Sequence, residues 1–184
     1  MFKRQPLILA YHRILPQPTS SLAVSCENFE KQLTYLIKKK YKFLSLEQFY
    51  NTYLKTKKKL KRKICVLTFD DGYKDNYIYA FPILKKYNLP ATIFLTVDYI
   101  NSAKPFYWDL KNQTNFTEID QALTWKEIKE MQKNNIEFGS HTINHYELNM
   151  LDEQSLNKEL TDSKKKIDKQ LKQKTLSFCY PRGA

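Results

Sequence analysis

The chain has 184 residues, a formal net charge of +12, 42% hydrophobic and 14% aromatic residues, and only three glycines. That length supports one domain with a substantial core, and the composition excludes a disordered chain. No apolar run is long enough to span a membrane.

The first residues, Met1–Pro6, lead directly into an expected strand at Leu7–Tyr11. They carry no apolar leader or small-residue cleavage site. The sequence as given therefore reads as cytoplasmic; a start further upstream would make it extracytoplasmic. Phe29, Leu33, Leu36 and Ile37 mark one face of a helix, with Ser25 as its N-cap and Lys38–Lys40 at its end. Phe43 and Leu44 form a brief extended piece, and Ser45-Leu46-Glu47-Gln48 is a capping box for a helix through Leu54. From Lys55 to Lys63, seven of nine residues are basic. Without interleaved aromatics the block reads as a solvated loop, a polyanion-binding patch being the alternative. No nucleic-acid partner is expected.

Ile64–Phe69 is an unbroken apolar, β-branched run, the pattern of a buried strand, and it ends at Asp70-Asp71-Gly72-Tyr73. Tyr77, Ala80, Phe81 and Leu84 then suggest helical packing interrupted by Pro82, and Ala91–Val97 is a second clear strand. The long stretch from Asp98 to Leu123, with Phe106-Tyr107-Trp108 inside it, is read as a lid or groove. Thr124-Trp125-Lys126-Glu127 caps a helix with Ile128 and Met131 facing inward, and Ile136–Phe138 is a strand running into His141. Asp152 caps a long helix with the stripe Leu156, Leu160, Ile167 and Leu171, and Thr175–Cys179 is a last strand before Tyr180-Pro181-Arg182-Gly183-Ala184. Strand and helix alternate, which predicts an α/β fold with a mostly parallel sheet. Cys26, Cys65 and Cys179 have no metal-like spacing, and the apolar surroundings of Cys65 and Cys179 mark them as buried free thiols.

Two adjacent carboxylates at a strand tip raise each other's cost of ionisation unless a cation or a shared proton compensates. Further ligands are available in Gly139-Ser140-His141-Thr142-Ile143-Asn144-His145, which holds two of the three histidines. An aspartate with two histidines suits a catalytic metal with an open position. Their spacing allows one helical turn or a tight loop to aim both at one ion. One of Asp70 and Asp71 would hold the ion and the other a water, which makes a hydrolytic device. The zincin pattern, a Gly-x-Ser-x-Gly nucleophile and a phosphate-cradling glycine loop are all missing.

Thr68-Phe69-Asp70-Asp71-Gly72-Tyr73 and His141-Thr142-Ile143-Asn144-His145 are similar to the first two motifs of the polysaccharide deacetylase family, carbohydrate esterase family four. That family includes chitin, peptidoglycan and poly-N-acetylglucosamine deacetylases. Tyr11-His12-Arg13, Ala80–Leu95, Leu123-Thr124-Trp125 and Phe178–Gly183 extend the resemblance over nearly the whole chain. It implies a distorted (β/α) barrel, here a single domain over residues 1–184 with its C-terminal strands missing. It implies a divalent metal, zinc above others, held by Asp71, His141 and His145, with Asp70 as general base. The Arg182 backbone N–H would share the developing oxyanion, Thr142 would brace the histidine loop, and His12, Tyr73, Tyr180 and Pro181 would meet the substrate. The implied activity is hydrolysis of N-acetyl groups on a polysaccharide or oligosaccharide, releasing acetate. The alternative is a truncated, non-catalytic remnant that binds metal or glycan. The chain departs from the family at Arg182, where many members carry an aromatic, and at Cys179, where many carry an arginine. The family's later general-acid histidine has no counterpart, which leaves His12 as a stand-in.

Overall fold

The computed structural model describes residues 5–18, 20–111 and 115–183. Expectations placed on Met1–Arg4 and Ala184 lie outside them. Strand β1 (Leu7–Tyr11) is followed by a small parallel pair, β2 (Arg13–Leu15) and β3 (Ala23–Ser25). Helix α1 (Cys26–Lys38) starts where expected, with the Ser25 side chain accepting from Asn28 N. Phe29, Leu33 and Leu36 are buried, but Ile37 is turned outward. After β4 (Lys42–Leu44), the Ser45 capping box opens α2 (Leu46–Phe49), which continues as a wider π-turn through Leu54.

All six residues of β5 (Ile64–Phe69) are buried, and successive side chains go to opposite faces. Cys65, Leu67 and Phe69 join the main core with Phe29, Leu33 and Tyr11. Ile64 and Val66 pack with Leu44 and Phe49 in a smaller cluster. Residues 76–80 form a π-turn that runs into α3 (Phe81–Lys86). Pro82 lies at the start of α3, where a missing N–H is harmless, so it opens this helix and does not interrupt it. β6 (Ala91–Leu95), α4 (Trp125–Gln132), β7 (Ile136–Ser140) and α5 (Glu153–Leu171) complete the regular elements.

The order β1-β5-β6-β7 is parallel throughout, with β4 on the first half of β5. Tyr11 lies opposite Phe69, Phe69 opposite Ile93, and Leu95 opposite Ser140, so the strands' carboxyl ends share one level. Among the described residues this sheet is open, with β1 and β7 at its edges.

Three further sequence expectations are corrected. β6 stops at Leu95 because Thr96 N and Val97 N bond to Asp71 O and Thr142 O, leaving the ladder for the two motif loops. Thr175–Cys179 runs beside β7 but makes a single bridge, Ser140 to Phe178. The pairing does not propagate to the start of the segment, where Thr175 N bonds to Asp168 Oδ1 at 2.6 Å instead of the sheet. Cys65 is buried, whereas Cys179 is only half-buried.

Candidate metal centre

β5 delivers Asp70 and Asp71 to the carboxyl end of the sheet, and β7 delivers His141 and His145, the usual location of functional groups in such sheets. The turn between the aspartates and Tyr73 needs Gly72. Its φ is +78°, and an added Cβ would come within 2.9 Å of Leu95 Cδ2. Gly139 is needed for close approach, since a Cβ there would meet Ser177 Oγ at 2.5 Å and Phe94 Cδ1 at 2.6 Å.

His141 and His145 are carried by a tight loop, not a helical turn. Asp71, Thr142, His145 and Arg182 all adopt positive φ (71°, 70°, 64° and 55°), a costly conformation for side chains with a Cβ, above all the β-branched Thr142. The loop is held by its neighbours. Thr142 Oγ1 accepts from His145 N at 2.9 Å. The Glu159 carboxylate, buried on α5, accepts from Ile143 N at 2.7 Å, Asn144 N at 3.0 Å and Asn144 Nδ2 at 2.8 Å.

Asp71 Oδ1 lies 3.5 Å from His141 Nε2 and 3.4 Å from His145 Nε2, too far for good hydrogen bonds, and this buried oxygen has no other partner. Two imidazole nitrogens thus converge on an orphaned carboxylate oxygen. This fits a cation seated among them, and the Asp-His-His donor set is one that divalent metals accept. His141 Nδ1 meets Cys179 O at 2.9 Å, which directs Nε2 at the centre. Burial opposes a charged His141, but Asp71 and the Cys179 carbonyl outweigh it and bring the imidazole up to about 10. Burial lowers His145 to about 4, with Asp71 opposing and His141 adding to the shift.

Asp70 is left outside this triad. It faces a cleft of about 1350 Å³ that also takes in His12, Trp108, Tyr180 and Arg182. Burial raises its carboxyl, partly offset by His141 and His12. His12 Nε2 stands 3.9 Å from Asp70 Oδ2. Tyr180 is 59% exposed at the rim with Phe178 edge-on beneath it, and Pro181 is buried. The Arg182 guanidinium pairs with Glu147 at 3.1 Å. Tyr73 is buried: its hydroxyl donates to Asp109 Oδ2 and accepts from Trp108 Nε1, both at 2.8 Å, and the Arg13 guanidinium lies 4.4 Å from its ring centroid.

Three supports escaped the sequence reading. Glu159 replaces the expected Leu156 and Leu160 on the buried face of α5, which is Glu159, Ser163, Ile167 and Leu171. Their common spacing of four was the available signal. Trp108 lies between Phe106, on which it stacks at 4.7 Å, and His145, against which it is tilted at 4.2 Å, so its ring packs against one of the two imidazoles. Arg13 binds Asp75 at 2.7 Å and Asp120 at 2.9 Å, tying three distant segments into one wall of the cleft; nothing local announces that pairing.

A model of the polysaccharide deacetylase family matches residues 57–184. The chain is 36% identical over 176 residues to YxkH of Bacillus subtilis, whose name assigns it provisionally to the polysaccharide deacetylases; the match covers 96% of this chain and 56% of that one. It is 32% identical over 170 residues to the poly-beta-1,6-N-acetyl-D-glucosamine N-deacetylase of Staphylococcus aureus, covering 88% and 54%. The chain thus spans about half the length of the curated relatives it matches. Among solved structures, the Streptococcus pyogenes deacetylase PplD in complex with acetate superposes with a TM-score of 0.81 at 32% identity, covering 95% of this chain and 73% of that one.

Proposed function

From the premise that the chain belongs to the polysaccharide deacetylase family, we propose that it is a metal-dependent hydrolase of N-acetyl groups on a polysaccharide or oligosaccharide. The carrying observation is the pairing of a buried ligand triad with an adjacent carboxylate that faces the cleft. Asp71, His141 and His145 hold the divalent ion, with zinc the best match to two imidazoles and one carboxylate. Once bound, that ion supplies Lewis acidity toward the acetamide carbonyl and acidifies water in the site.

Asp70 takes a proton from the attacking water, for which a carboxyl raised by burial is suited. The water's oxygen joins the acetyl carbon, the carbon–nitrogen bond breaks, and the nitrogen gains a proton to leave as the amine. In this reading His12, 30% exposed and 3.9 Å from Asp70, stands in as the donor of that proton. The Arg182 backbone N–H serves the developing oxyanion, and the exposed Tyr180 ring offers a stacking surface for a sugar. Tyr73 lines the cleft, and the buried Pro181 carries the turn between Tyr180 and Arg182. In this reading the open sheet is part of a distorted (β/α) barrel.

The test is acetate release from N-acetylglucosamine oligomers by zinc-loaded protein, beside Asp70→Asn. Release that vanishes in the variant while zinc stays bound supports the reading. Bound zinc without turnover in the parent chain overturns it in favour of a non-catalytic metal- or glycan-binding domain.

A further inference from the structure

The stretch from Lys31 to Phe69 holds twelve of the chain's 31 basic residues and one, Glu47, of its 19 acidic residues. Eleven of the twelve net positive charges therefore fall in one segment. The fold gathers them further. Residues 38–42 end α1 and begin β4, residues 55–63 lead into β5, and Lys42 N bonds to Lys63 O at 2.8 Å. Lys63 Nζ lies 5.5 Å from the Tyr41 ring centroid, closing the seam between the two runs. The lysines at 38–42 and 55–63 are all exposed, and among the described residues no ion pair is found for those at 38–42 or 55–59.

Apolar groups stand among these charges. Tyr35, Ile37, Tyr50 and Leu54 are exposed by 58%, 40%, 48% and 55%. Lys39 Nζ sits 5.4 Å from the Tyr35 ring, and Tyr50 and Leu54 are one helical turn apart. Leaving lysines unneutralised beside exposed tyrosine and leucine has no folding rationale, but it matches what an anionic bilayer selects. Ammonium groups are attracted to the headgroups, while amphipathic rings and aliphatic chains enter the interface. The basic residues of the segment are lysines except for Arg62. Point charges suit a diffuse negative surface better than the forked phosphate recognition typical of arginine in nucleic-acid grooves.

We propose that this lysine-rich end of the sheet is a docking surface for an anionic lipid bilayer. The surface lies at the amino end of β5, about 20 Å along the strand from Asp70, so a docked molecule turns its cleft away from the lipid. The inference does not depend on the metal centre or on its chemistry.

Flotation of the whole chain with vesicles tests it. Binding is expected to mixed phosphatidylglycerol–phosphatidylcholine vesicles and not to phosphatidylcholine alone, falling about tenfold or more between roughly 0.05 M and 0.3 M salt. Changing Lys55, Lys57, Lys58 and Lys59 to Gln should weaken binding by about a hundredfold or more. Tyr50→Ser with Leu54→Ser should weaken it by about tenfold at unchanged charge. Failure of the parent chain to float with the mixed vesicles at low salt overturns the proposal. So does binding that ignores the Tyr50 and Leu54 changes and is competed by duplex DNA, which would mark a general polyanion surface.

Discussion

At the carboxyl end of β5 and β7, carboxylates and imidazoles are buried, and their loops take backbone conformations that cost energy. Each loop is held by named partners: Thr142 and Glu159 for the histidines, and the Asp71 and Thr142 carbonyls bonding the residues just after β6. At the amino end of β5, charges of one sign lie in solvent, and among the described residues no ion pair is found for the lysines at 38–42 or 55–59. The first arrangement depends on position to within fractions of an ångström, while the second depends on how many charges and apolar groups share a surface and not on where each one points. Single substitutions should therefore be severe at one end and nearly silent at the other.

The largest effect belongs to the triad. His141→Ala or Asp71→Asn should abolish stoichiometric zinc binding, read by metal analysis after dialysis, together with any acetate release. Retention of one zinc in either variant would move the centre elsewhere. Next comes Glu159→Ala, which leaves three donors of the histidine loop without their carboxylate. A loss of about 3 kcal/mol is expected, a Tm lower by about 6–12 °C, and zinc affinity reduced about 10–100-fold. A smaller effect should follow Trp108→Ala, which removes the ring against His145. Zinc affinity should fall by about tenfold or less, and the parent chain's tryptophan emission should respond to zinc titration.

The thiols divide in the same way: Cys65, the second residue of β5, lies behind the lysine-rich end, and Cys179 borders the cleft. Burial pushes the Cys65 thiol up to about 12. The reactive thiolate is thus scarce at pH 8 and becomes appreciable only as pH climbs toward 12. Iodoacetamide at pH 8 should label Cys179 and spare Cys65 until the chain is unfolded, as mass spectrometry would record. The smallest effect is at the lysines. The fourfold Lys→Gln variant should change stability by no more than about 0.5 kcal/mol and leave zinc binding untouched.

What was legible in the sequence divides along the same line. Asp70-Asp71-Gly72 and His141 with His145 could be read because they sit at the ends of short apolar runs whose direction the pattern fixes. The Ser25, Ser45, Thr124 and Asp152 caps could be read because capping is local, and each makes its expected bond. Glu159 shows only in its spacing of four from Ser163, Ile167 and Leu171; its role does not, because its partners lie fifteen and sixteen residues away and a buried glutamate contradicts its ordinary preference for water. Arg13 with Asp75 and Asp120 joins residues 62 and 107 positions apart, beyond the reach of periodicity. The strand expected at Thr175–Cys179 has the right composition, but its first N–H is claimed by Asp168.

The division of labour between Asp70 and Asp71 is the central claim, and zinc stoichiometry in the two single Asp→Asn variants tests it most directly. One zinc per chain is expected in the parent and in Asp70→Asn, and none in Asp71→Asn. Loss of the ion from Asp70→Asn, with retention in Asp71→Asn, would contradict it.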